Sequence, residues 1–236
     1  MNSMEDEKLA WANVRMRLDQ SYGHDELWAE VIQIFNNRLR KKFFSPIQII
    51  INDRSKNGEG FAIMTVQCAI IETLAAFRKG MIFNHNNRNG NPAYEYKSSR
   101  KIFTEFLLSA SIFKDHFWSL DIHGAMVPNN PFNSIDFYSD VRCALMHEAR
   151  TKNSWHINLS PKKTDSKNES KFIVTENGKI KIYRTLLHYR LLNYFMEYQN
   201  ELRQNNQDGE ILRKYFARKM DSLFEVVPDV NFDWWN

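Results

Sequence analysis

From Phe61 to Lys79 the sequence is apolar on almost every side of a helix, interrupted by Gln67 and Glu72. A helix that is greasy all round cannot lie on a surface, so this one is expected at the centre of a bundle. As a membrane span its most apolar run, Phe61 to Phe77, is too short to cross a bilayer comfortably. A carboxylate carried inside such a helix must be paired or hydrogen-bonded, which makes Glu72 a residue to follow. Only 8 Gly and 6 Pro occur among 236 residues, which argues against a turn-rich β sandwich and for long helices. With 43% apolar and 14% aromatic residues the chain is globular rather than disordered. The expected fold class is all-α, a helical bundle, and one domain over 1–236 is the simplest organisation.

A first amphipathic helix is predicted over 4–19, burying Leu9, Trp11, Ala12 and Met16. Tyr22-Gly23-His24-Asp25 breaks it, and Asp25 caps a second helix running to about Lys42. Its basic end, Arg38, Arg40, Lys41 and Lys42, reads as a solvated last turn. Phe43–Ile51, with Pro46, reads as a short extended or buried connector, and 52–60 as a surface loop. The Asn-rich stretch 84–92 is another loop. A helix follows from Ser98 or Ser99 to about Phe117, then a loop region to Ser134. His116 and His123 have no Cys or carboxylate cluster at ligand spacing, so no zinc site is expected. After residue 155 the pattern alternates: Trp155–Leu159, Lys171–Val174 and Lys179–Tyr183 read as strands, with Asn177-Gly178 a hairpin turn. A small antiparallel element, a hairpin or three strands, is expected at about 155–184. Helices over 186–202 and 208–224 close the chain. The aromatic tail, with Phe232, Trp234 and Trp235, is expected to dock, because exposed tryptophans would be a solubility hazard.

The net charge of +4 permits an anionic partner without requiring one. Cys68 and Cys143 provide no disulfide framework and are read as buried free thiols. The acidic start Met1–Glu7 is unlike a signal peptide, so a cytoplasmic protein is expected, with no membrane association.

Chemistry is densest at residues 138–156. Up to Arg150 the stretch lacks Gly and Pro and reads as a helix, with Ser139 or Asp140 able to cap its start. At about 100° per residue, Val141, Ala144, Leu145 and Ala149 form a core face. Asp140, Cys143 and His147 share a second face beside it. Arg142 and His147 stand roughly 140° apart around the helix.

Arg142-Cys143-Ala144-Leu145-Met146-His147 resembles the Arg-x4-6-His motif of the HEPN superfamily, set late in a helical chain after a long apolar helix with one Glu. The continuation through Arg150 and Lys152 to Trp155 is similar to a bacterial branch, and the likeness covers roughly 25–155. Where many members place a polar residue after the Arg, this chain has Cys143. The resemblance implies a HEPN-like bundle and a homodimer. It also implies a metal- and cofactor-independent endoribonuclease that leaves a 2′,3′-cyclic phosphate. Arg142 and His147 would be its catalytic pair. A defence or toxin setting, with an antitoxin or regulatory protein as partner, comes with it.

The residues themselves suit that chemistry. RNA carries its own nucleophile, the 2′-hydroxyl. Cleavage then needs a proton acceptor, a proton donor and positive charge at phosphorus. Imidazole supplies either proton role, and guanidinium grips phosphate oxygens. One His and one Arg are few for both transfers, and two chains across a two-fold axis would supply two of each. Glu72 and Asp140 are candidate orienting residues; Arg150 and Lys152 are candidate RNA phosphate contacts. Two rivals remain: a non-catalytic RNA- or nucleotide-binding module, favoured by Cys143, and a regulatory dimer in which Arg142 and His147 serve only the interface.

Overall fold

The computed structural model describes residues 4–18, 26–53, 58–87, 90–128, 131–160 and 171–236. The elements follow as α1 (Met4–Arg15), α2 (Glu26–Leu39), a π-helical turn (Arg40–Phe44), α3 (Ser45–Asn52) and α4 (Glu59–Lys79). Next come β1 (Ile82–Phe83), β2 (Glu95–Tyr96), α5 (Ser99–Ser109), a 3-10 turn (Ser111–Phe113) and α6 (Lys114–Phe117). Then follow β3 (Trp118–Leu120), β4 (Met126–Pro128), α7 (Ser134–Asp136), a π segment (Phe137–Cys143) and α8 (Ala144–Glu148). β5 (Trp155–Asn158), β6 (Ile173–Glu176), β7 (Lys179–Tyr183), α9 (Arg184–Leu202), α10 (Gln207–Leu223) and a last 3-10 turn (Asp233–Trp235) complete the chain. Helix covers 63% of the described residues, so the protein is mostly helical. It is not strictly all-α, because the described residues also form three small sheets.

Contacts divide the chain into two compact units. One is Met1–Lys42, Thr73–Ser99 and Phe195–Asn236; the other is Phe43–Glu72 and Arg100–Tyr194. The first is organised on a carboxylate. Asp221, fully buried on α10, accepts hydrogen bonds from Trp11 Nε1 (2.9 Å), Arg15 Nε (2.6 Å), Trp234 Nε1 (2.8 Å) and Trp235 Nε1 (2.9 Å). The aromatic tail therefore docks, as its composition predicted, and Arg15 lies 3.8 Å over the Phe232 ring. The same contacts correct part of the expected face of α1. Trp11 is buried as expected, but beside Val14 and Arg15, while Leu9 and Met16 are 62% and 70% exposed. Beside this cluster Phe35 packs on Phe77, Phe195 and Phe216 at 4.4, 5.4 and 5.1 Å. Gly80 lets the chain pass α10: a Cβ there would stand 2.9 Å from the Tyr215 backbone.

The second unit contains the motif helix. Its part of α4 carries Gln67, whose Nε2 donates to the Arg184 carbonyl at 2.7 Å, so one polar interruption of the apolar helix is tied to the start of α9. α4 is long and apolar enough by composition to cross a membrane; at 21 residues it exceeds the run read from the sequence. Phe43–Ile51 is not extended but helical, because Pro46 falls in the first turn of α3, where its missing N–H costs no bond. The helix expected to reach Phe117 breaks at Ala110, whose ψ is 134°. The presumed loop 118–134 contains the β3–β4 hairpin. The three-stranded sheet has the order β5-β7-β6. It is mixed rather than antiparallel, since β5 runs parallel to β7 and β6 antiparallel to it. Asn177 and Gly178 form the β6–β7 turn with φ of 52° and 73°, a primed turn that suits the strand twist. The break at 22–25 and its cap Asp25 lie outside the described residues.

Two expectations follow. Asp221→Ala strands a buried guanidinium and three indole N–H groups, so it should cost about 3–5 kcal/mol of unfolding free energy, read from urea melts. Asp221→Asn, which keeps one acceptor oxygen, should lose less. The second concerns His188, buried on α9, whose pKa burial pushes down to about 4. Burial also lowers that of His116, against the pull of Asp115. Between pH 6.5 and 4 the unfolded chain binds the proton that folded His188 refuses. Stability should therefore be complete above about pH 6.5 and fall with acid, by at most about 1.4 kcal/mol per pH unit for one histidine. His188→Leu should flatten that slope.

Candidate active site

The motif lies on one helical run made of α7, the π segment and α8. Its cap is neither Ser139 nor Asp140. Asn133, extended at ψ 125°, accepts from Ile135 N–H at 2.8 Å. Phe137, Val141, Ala144 and Leu145 are buried. Phe137 anchors the run against Phe103 (6.2 Å), Phe117 (5.9 Å) and Trp155 (5.4 Å). Through Cys143 the winding is π rather than α, and Ala144 N–H reaches back to the Ser139 carbonyl. Arg142 and Cys143 close the π segment, and Ala144–Glu148, which carries His147, is α-helical. Local π winding is often found at functional sites.

Arg142 and Glu72 meet. Arg142 Nη2 donates to Glu72 Oε2 at 3.1 Å, and both side chains are 21% exposed. The Arg142 guanidinium also stands 4.0 Å from Cys143 Sγ and 5.5 Å over the Tyr138 ring. Burial works against its charge, yet Glu72 and Tyr138 hold its pKa above the ordinary value. Cys68, one turn before Glu72, is buried as expected, and burial pushes its thiol up to about 12. Cys143 is only half-buried, which corrects its reading as a buried thiol.

His147 is exposed, in the last turn of the run. The helix stops at Glu148, short of the expected Arg150, because Ala149 takes a left-handed φ of 51°. Ala149 is exposed and leaves the core face. Asp140 explains the turn. Buried, it accepts from Ser139 Oγ and Asn153 Nδ2, each at 3.0 Å, and its carbonyl accepts from Lys152 N–H at 2.9 Å. It folds the following segment back on the helix, and its carboxylate is engaged there rather than with Arg142. Trp155, buried against Phe137, completes the return.

Arg150 and Lys152 come together beside His147 in the chain, but on a residue that sequence reasoning passed over. Glu148 accepts from Arg150 Nε at 2.9 Å and pairs with Lys152. Those two cations hold its carboxyl below the usual range, Lys152 foremost. The i,i+4 spacing of Glu148 and Lys152 was a readable signal. Among the described residues no group of three or more His, Cys, Asp or Glu could hold a metal ion. Comparisons with protein-family models, curated proteins and solved structures find no match to this chain.

The arrangement presents an exposed imidazole, a guanidinium held in a half-buried ion pair, and an acid-bridged cationic rim. A pair at this depth should couple by ~1–3 kcal/mol, between exposed and buried limits. A double-mutant cycle on Glu72→Gln and Arg142→Gln, followed by urea unfolding, should return a coupling in that range.

Proposed function

We propose that the chain is a HEPN-like, metal-independent endoribonuclease that acts as a homodimer. The observation that carries this reading is the exposure of His147 on the same helical run as Arg142, whose charge Glu72 fixes in place. An imidazole sealed among aliphatic side chains could not reach a phosphodiester. In the proposed reaction the 2′-hydroxyl loses its proton to one His147 as its oxygen attacks the adjacent phosphorus. The bond to the 5′-oxygen breaks, and that oxygen takes a proton from the partner copy's equivalent imidazole, leaving a 2′,3′-cyclic phosphate. Arg142 is the group that would neutralise the charge gathering on the phosphorane oxygens. Arg150 and Lys152 would hold flanking phosphates once these displace Glu148.

A second reading, a HEPN-type module that binds RNA or nucleotide without cutting, is favoured by Cys143, whose sulfur and Glu72 together engage the guanidinium.

Incubated with single-stranded RNA in excess chelator, the protein should still yield fragments ending in cyclic phosphate. His147→Ala should reduce the rate about 10²–10⁴-fold, the usual worth of a general acid–base, with an unchanged melting curve. Salt-sensitive binding without fragments would select the binding module, and cleavage lost on chelation alone would overturn metal independence.

A further inference from the structure

His116 is a second histidine that the proposed chemistry does not use, and its environment is unusual. The ring is buried and packs against Phe172, centroids 4.2 Å apart and planes tilted by 38°. Its Nδ1 lies 2.6 Å from Asp115 Oδ1. A carboxylate can only accept, so the proton sits on Nδ1 and Nε2 is left as an acceptor. Arg190 Nη1 donates to the same Asp115 Oδ1 at 3.3 Å and to the Ile112 carbonyl at 2.9 Å. The imidazole is thus oriented by a fixed carboxylate, yet Nε2 is buried without any partner. Leaving such an atom unsatisfied costs about 1–3 kcal/mol, and a native fold seldom carries that cost for nothing.

His116 lines a cleft of about 240 Å³ with Asp115, Pro131, Phe132, Lys171, Ile173, Val174 and Thr175. One water takes only about 30 Å³ of liquid volume, whereas whole-ligand pockets begin near ~300 Å³. The space therefore suits one ring-sized group of a larger molecule. Its walls are apolar at Phe132, Ile173 and Val174, its fixed polar group accepts a hydrogen bond, and exposed Lys171 places a cation at the rim. Pro131 and Phe132 are also the wall of a neighbouring cleft of about 470 Å³, which is lined by Asp140, Asn153 and Trp155. That second cleft is bounded by the motif helix and its return segment.

We infer that the His116 cleft is a nucleobase pocket, in which an N–H of a splayed-out base donates to His116 Nε2 while its phosphate faces Lys171. Single-stranded RNA is read in this way, by unstacked bases held between apolar or aromatic walls and hydrogen-bonded on their edges. The inference deepens the nuclease reading by assigning a place for a base beside the motif helix, but the pocket's own binding does not require cleavage. Burial keeps His116 below its ordinary pKa, consistent with a neutral acceptor at pH 7.

The test is direct titration of the full chain with each of the four nucleoside 5′-monophosphates, followed by calorimetry. At least one should bind saturably. His116→Phe, which keeps a ring but removes the acceptor, should weaken it at least tenfold. Lys171→Ala, on the exposed rim, should weaken it severalfold without altering the fold by circular dichroism. No binding to the folded wild-type protein overturns the pocket, as does unchanged affinity in folded Lys171→Ala and His116→Phe. The two proposals fail separately: RNA cleavage without mononucleotide binding removes the pocket alone, and mononucleotide binding without cleavage removes the nuclease alone.

Discussion

A fully buried carboxylate at residue 221, held by four N–H groups from two distant stretches of chain, is the interaction the first unit is built around. Burying a bare carboxylate is prohibitive, so its donors must be in place whenever the unit is folded. That requirement selects the face of α1, since Trp11 and Arg15 must point inward whatever Leu9 and Met16 would prefer. It also selects the path of the tail, since two adjacent indoles must both reach Oδ2. The same rule shapes the second unit in weaker form. Glu72 with Arg142, Glu59 with Arg184, and Asp115 with His116 are all carboxylates drawn toward a partner inside or near the core. Polar partners set the orientation of these elements, and apolar packing then fills around them.

The parts of the fold that could be read from the sequence are those decided by local chemistry. The long apolar α4, the Asn177-Gly178 hairpin and the docking tail follow from periodicity, turn geometry and the hydrophobic cost of exposed indoles. What could not be read was decided by partners distant in sequence. No local pattern says that Arg15 is buried, because the reason is Asp221, 206 positions along. Nothing local turns β5 parallel to β7 either; that pairing spans a long connection and is chosen by the sheet. Pro46 shows a third kind of miss. The stretch around it was read as a connector, whereas in the first turn of a helix a proline is neutral.

The candidate site divides along the same line. The Glu72–Arg142 pair was legible because a lone carboxylate in an apolar helix needs a partner and the motif supplied one; His147 was singled out by the motif alone. Asp140 was placed among the supporting residues, and its support turns out to be mechanical: it ends the helix after Glu148 and brings residues 150–155 back. The π winding was not legible, since it depends on how Phe137 and Val141 fit their neighbours and not on propensity. Glu148 was passed over because attention to cations draws the eye to Arg150 and Lys152, yet their common acid sets how available they are.

That last point bears on how such a site would be controlled. Each cation of the motif region is matched by a carboxylate: Arg142 by Glu72, Arg150 and Lys152 by Glu148. The two matches differ in kind. Glu72 and Arg142 are half-buried, so the pair is held by desolvated surroundings and serves to fix a guanidinium in direction. Glu148 is exposed and its pairs are screened by solvent and salt, so a polyanion can compete for Arg150 and Lys152 at little cost. A rigid inner cation and a loosely neutralised outer rim would let the surface stay closed to stray anions while yielding to a ligand that brings several phosphates at once.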